Sequence, residues 1–146
     1  MATALRVTAE ACPSCIRPMR ELVAGVAREH GLSEPRAEEL RVCLHEAMAN
    51  VVRHAYRGRP GPVDVTVEDR GDVLAVLVSD HGDGEVPRVG DGAALGLRLM
   101  SHLSRSCTIC AGHDGMQVEM VFPLASPTPR RPEPTLLHRE RRLLHF

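Results

Sequence analysis

Leu44-His45-Glu46-Ala47-Met48-Ala49-Asn50-Val51-Val52-Arg53-His54-Ala55-Tyr56 is the stretch on which the reading of this chain turns. Leu44, Ala47, Met48, Val51 and Ala55, with Leu40 upstream, recur at three- and four-residue spacing, the pattern of an amphipathic helix. Ser33 is placed to cap it, with Pro35 in the first turn and acidic residues just after. Glu46 and Asn50 are four apart and share a flank, and helix periodicity centres the apolar set about 130° away from them. The helix is therefore expected to pack through one side and offer Glu46 and Asn50 on another. An amide oxygen is a hard ligand suited to Mg²⁺, and a neighbouring carboxylate can take a proton from a hydroxyl nucleophile. Taken alone, the same spacing also describes an ordinary solvated polar face.

On the N-terminal side, residues 4–9 alternate as a strand. Residues 14–30 carry Ile16, Met19, Leu22, Val23, Val26 and Ala27 at helical spacing, and Gly31 is a stop signal. On the C-terminal side, Gly58-Arg59-Pro60-Gly61-Pro62 marks a turn. Val63, Val65 and Val67 alternate with polar residues, a half-buried strand whose partner spans 73–78. A glycine-rich stretch runs from 80 to 96, a short helix is expected around 97–103, and 105–111 with 116–124 reads as a last hairpin. The order strand, helix, helix, two strands, loop, helix, two strands fits an α+β two-layer sandwich.

Composition narrows the function. With 146 residues, 43% hydrophobic and 25% charged, the chain supports one folded domain. There is no Trp, one Tyr and two Phe, too few aromatics for a base-stacking platform, and a net charge of −1 gives no electrostatic case for nucleic acid. All 18 basic residues are Arg, so phosphate loops or Schiff bases that need lysine are excluded. No apolar run approaches the ~18 residues of a membrane span, and the first residues do not read as a signal peptide, so a cytoplasmic protein with no membrane partner is expected. Residues 1–124 hold 13 Arg against 17 acidic residues, whereas 125–146 hold 5 Arg against 2 Glu. A domain is therefore expected over 1–124, followed by a Pro/Arg-rich tail over 125–146 that is flexible or, alternatively, a docking segment.

Two further segments could carry chemistry. Asp80-His81-Gly82-Asp83-Gly84 follows a strand directly. A carboxylate there can accept from an exocyclic amine such as adenine's, and Gly82 and Gly84 let the backbone approach a flat ring. A plain turn would use the same residues. Gly90, Gly92 and Gly96 open the last helix, where free N–H groups and the helix dipole favour phosphate. A surface loop with a helix cap is the bland reading.

In order and spacing, Glu46-x-x-x-Asn50, Asp80-x-Gly82-x-Gly84 and the Gly92–Gly96 segment resemble the N, G1 and G2 boxes of the GHKL, or histidine-kinase-like, ATPases. The likeness extends over about residues 4–124 and is closest to the RsbW-like anti-sigma-factor serine kinases. It implies a mixed sheet with helices on one face and ATP with Mg²⁺ held between the helices and the glycine loop. Asn50 would hold the metal, Glu46 would activate a substrate serine, Asp80 would read adenine beside Gly82 and Gly84, and Gly92 and Gly96 would belong to the lid over the phosphates. The partners implied are a sigma factor and a STAS-domain anti-anti-sigma protein phosphorylated on serine, with a homodimer as an assembly the family often forms. Two departures stand out. Ala94 replaces the first glycine of the usual Gly-x-Gly-Leu, and Gly115-Met116-Gln117-Val118 stands where Thr is common. They motivate the alternative of a non-catalytic ATP-binding or sigma-binding adaptor.

Cys12-x-x-Cys15 and Cys107-x-x-Cys110 invite a zinc or redox reading. The second pair falls in a strand, where residues three apart face opposite ways, so the thiols read first as buried or incidental. Cys43 reads as core. His54 and His81 lie near the candidate site without metal-ligand spacing.

Overall fold

The computed structural model describes residues 1–83 and 92–124. The elements are β1 (Ala2–Glu10), α1 (Pro13–Glu29), α2 (Glu34–Asn50), β2 (Pro62–Asp69), β3 (Val73–Asp80), α3 (Gly92–Leu103), β4 (Ser106–Gly112) and β5 (Gly115–Pro123). A π-helical turn, Val51–Ala55, continues α2. The tail over 125–146, Gly84 and Gly90 lie outside the described residues.

The five strands form one sheet in the order β1-β2-β3-β5-β4. All four neighbouring pairs are antiparallel, which corrects the expected mixed sheet. The reason lies in the last hairpin. The crossover through α3 does bring β4 parallel to β3, but β5 folds back between them and separates the parallel partners. The two-layer α+β architecture stands.

Register fixes which side is buried. Val63, Val65 and Val67 sit opposite Asp80, Val78 and Val76, and Val78, Val76 and Leu74 sit opposite Val118, Met120 and Phe122. These side chains share one face because strand period is two. Phe122, Leu40, Leu44, Met48, Val65 and Val76 are among the largest fully buried side chains. Each contributes about 1.5–3 kcal/mol through removal from water. The predicted α2 set Leu40, Leu44, Ala47, Met48, Val51 and Ala55 is buried throughout. Ser33 caps α2, its hydroxyl accepting the Arg36 N–H at 3.4 Å. The register also puts Asp80, a charged residue, on the core face at the end of β3.

Candidate functional site

Asn50 is the last residue of α2 and is only 2% exposed. Its Oδ1 and Nδ2 are both buried without a hydrogen-bond partner among the described residues. This corrects the expectation of a polar flank standing clear of the apolar one. Small buried residues, Ala37, Cys43 and Ala49, widen the packed surface of α2, which contacts α1 and α3 as well as the sheet. An unpaired buried amide costs about 1–3 kcal/mol, so native folds rarely leave one without a use. The π-helical turn begins at the next residue, a local geometry that recurs at functional sites.

Glu46, one turn earlier, is half-buried. A Cβ built on Gly96 would stand 2.7 Å from Glu46 Oε2. α3 starts at Gly92, earlier than expected, so both Gly92 and Gly96 belong to the helix and not to a loop before it. The N–H groups of a helix's first turn have no carbonyl of the same helix to bond, and in α3 these are the N–H groups of residues 92–94. The Gly96 N–H lies past that turn and is committed within the helix.

Asp80 is 3% exposed. Its Oδ1 accepts the Gly82 N–H at 3.0 Å and the Met116 N–H at 3.3 Å. Both bonds use the same oxygen, so Oδ2 is left uncommitted among the described residues. Burial pushes the Asp80 carboxyl above its ordinary value, while the two backbone donors and nearby His81 pull the other way. A Cβ on Gly82 would meet the Ala55 carbonyl oxygen at 1.9 Å. Glycine at 82 is thus required by the π-helical turn pressed against it, a reason distinct from the expected approach to a flat ring. On the other side Gly115, at φ +127°, comes equally close to the Asp80 carbonyl, where a Cβ would again lie at 1.9 Å.

Tyr56 ties these pieces together, a role the sequence reading missed. Its hydroxyl donates to the Pro62 carbonyl and accepts the His81 N–H at 2.9 Å. It thereby joins the end of the π-helical turn to the start of β2 and the end of β3. Its ring lies over Gly61, where a Cβ would be 2.4 Å from ring carbons. His81 in turn pairs with Asp64 at 2.8 Å. The signal was available: the single tyrosine of the chain stands directly before a glycine–proline turn.

Three predicted segments therefore meet on one support. Gly82 rests on Ala55 and Gly96 on Glu46, so the segment from Glu46 to Ala55 carries both. The amide of Asn50 and the Asp80 oxygen left uncommitted among the described residues offer hard oxygen and hydrogen-bond acceptors, a donor set that suits a magnesium nucleotide. Gln117 is engaged with Ser79, whose hydroxyl donates to it at 3.4 Å. The paired-cysteine zinc reading finds no support: among the described residues no three His, Cys, Asp or Glu side chains gather as a metal site. Cys107 and Cys110 take opposite faces of β4, as strand geometry requires, and Cys43 is fully buried.

The histidine kinase-like ATPase domain family matches residues 9–122. The chain belongs to that family. Its GHKL fold and its likeness to RsbW-type members agree with the sequence resemblance. The serine-protein kinase RsbW of Bacillus subtilis (strain 168) is 29% identical over 126 residues, covering 74% of this chain and 78% of the relative. The RsbW of Bacillus licheniformis is 31% identical over 80 residues, covering 54% of this chain. The match spans half the length of that relative. A solved Mycobacterium tuberculosis structure containing RsbU and RsbW domains superposes with a TM-score of 0.67 at 18% identity, covering 90% of this chain and 35% of that one. That likeness concerns the fold. No helix among the described residues of this GHKL domain is long and apolar enough to cross a membrane.

Proposed function

We propose that this chain is an anti-sigma factor with ATP-dependent serine kinase activity, which binds a sigma factor and phosphorylates a STAS-domain anti-anti-sigma protein. The observation that carries the reading is the buried Asn50 amide, unpaired among the described residues, at the end of a helix whose π-helical continuation supports the Asp80 loop. ATP with Mg²⁺ would supply the phosphoryl group and neutralise its charge. Asn50 would hold the metal through Oδ1. Asp80 would accept from the adenine amine through Oδ2, its other oxygen being held by Gly82 and Met116, with Gly82 and Gly84 flanking the base. Gly92 and the free N–H groups at the start of α3 would face the phosphates, and Gly96 would seat α3 on Glu46. Glu46 would accept the proton of the attacking serine hydroxyl. The relatives named serine-protein kinase support the choice of acceptor. A homodimer and a cytoplasmic setting complete the proposal.

Phosphate transfer from labelled Mg-ATP to a STAS-domain protein tests it. Glu46→Gln should abolish transfer while leaving nucleotide binding in place. Normal transfer by that variant would remove Glu46 from the chemistry.

A second reading, an adaptor that binds nucleotide or sigma factor without turnover, is favoured by one observation. With α3 beginning at Gly92 and Ala94 inside it, the Gly96 N–H is not free for phosphate. Calorimetry that detects Mg-ATP binding alongside no transfer by the unaltered chain would select the adaptor.

A further inference from the structure

Cys12-Pro13-Ser14-Cys15 builds the first turn of α1, with Cys12 as the extended N-cap (φ −147°, ψ 158°) and Pro13 directly after it. The Cys15 N–H donates to the Cys12 carbonyl at 3.1 Å and closes the turn. In such a turn residues three apart bring their Cβ atoms within about 5–6 Å, and a small backbone adjustment of the turn closes this to the ~3.8 Å that a disulfide spans. The two thiols occupy different settings. Cys12 is partly exposed at the positive end of the helix, 3.2 Å from the Ser14 hydroxyl, and no acidic residue lies in that first turn. Cys15 packs against the hydrophobic core. None of the residues assigned to the nucleotide lies in this turn.

We propose that Cys12 and Cys15 form a thiol–disulfide exchange site that takes a small-molecule disulfide as oxidant, with Cys12 the attacking thiolate and Cys15 the resolving thiol. The Cys12 thiolate attacks one sulfur of the small disulfide, forming a mixed disulfide and expelling the other half as a thiolate. Cys15 then loses its proton and attacks Cys12 Sγ, forming the intramolecular bridge and expelling the second half. The two protein thiols are oxidised by two electrons, the small disulfide is reduced to two thiols, and the two thiol protons end on those products. The electrostatics agree with this division. The Ser14 hydroxyl holds the Cys12 thiol below its ordinary value, whereas burial pushes Cys15 up. Burial pushes Cys43 up to about 12 and keeps it out of such exchange.

The test treats the reduced full chain with oxidised glutathione without oxygen, alkylates it, and maps the peptides. Tryptic peptide 7–20, which contains Cys12 and Cys15 and no other cysteine, should lose two hydrogens, escape alkylation, and recover both thiols with dithiothreitol. Cys15→Ser should trap glutathione on Cys12, at least about tenfold faster than on Cys110, as a thiolate at a helix start predicts. Cys12→Ser should form no bridge in that peptide. The proposal is overturned if the unaltered peptide stays dithiol, or if Cys110 in the Cys15→Ser chain reacts as fast as Cys12.

Discussion

Gly82 approaches Ala55 so closely that a single added methyl would stand 1.9 Å from the Ala55 carbonyl oxygen and 2.5 Å from its carbon. The obstacle is main chain, held inside a helical turn, and cannot swing aside like a side-chain tip. Gly82→Ala should therefore cost about 2 kcal/mol or more of stability. Displacing the Asp80 loop should also weaken Mg-ATP binding by at least about tenfold, the equivalent of 1.4 kcal/mol. Chemical denaturation and calorimetry on the same preparation check both. Parental stability and affinity in this variant would show that the loop yields freely.

Tyr56→Phe keeps the ring over Gly61 and deletes only the hydroxyl between the Pro62 carbonyl and the His81 N–H. Loss of these bonds should lower stability by about 1–2 kcal/mol. Nucleotide affinity should fall while Glu46, the proposed base, is left untouched, so any kinase activity should recover at saturating Mg-ATP. A fall in turnover at saturation would instead place Tyr56 closer to the chemistry.

Asp80 gives a pH signature with an unusual sign. Burial raises its folded-state pKa above the ordinary 3.8, so the folded state binds the proton more tightly than the unfolded one. Between those two values stability falls as pH rises, and above the folded value the full cost of the buried charge remains. Asp80→Asn keeps an acceptor for Gly82 and Met116 while removing that charge. It should be more stable than the parent at pH 7, with the gain shrinking as pH falls towards 3.8, and it should lose nucleotide binding. Thermal melts across that range, set beside binding at pH 7, read out both effects. A variant less stable than the parent at pH 7 would mean that the ionised carboxylate holds the loop.

Asn50→Ala removes an amide that has no partner among the described residues. Stability should change by less than about 1 kcal/mol, because the lost packing is offset by removal of a desolvated polar group. Mg-ATP binding should drop by at least about tenfold. A large loss of stability with binding retained would make Asn50 a structural residue.

Much of this architecture could be read from residue order. The spacing of Leu40, Leu44, Met48 and Val51 placed α2 and its buried side, and alternating Val63, Val65 and Val67 placed β2 and its face. Asp80 was found because it ends an apolar strand with glycine two residues later. The burial of Asn50 was not legible, since it depends on how segments far apart in the chain pack around the end of α2. The π-helical turn after Asn50 escaped for a related reason: periodicity continues through Val51 and Ala55 whether the turn is α or π. The sheet was expected to be mixed because the crossover through α3 is a parallel connection, and only the return of β5 between β3 and β4 removes the parallel contact. The reason for Gly82 lay in Ala55, twenty-seven residues earlier, a proximity that no local rule contains.

Gly82 and Gly115 both press bare Cα atoms against main-chain carbonyls, those of Ala55 and Asp80. Every residue type presents the same carbonyl, so trimming a neighbour cannot reopen the space that a side chain at either glycine would fill. Damage at these two positions is therefore beyond rescue by second-site changes in their contact partners, whereas an insult at Gly61, whose added Cβ would first meet the Tyr56 ring, could be relieved by shrinking that ring.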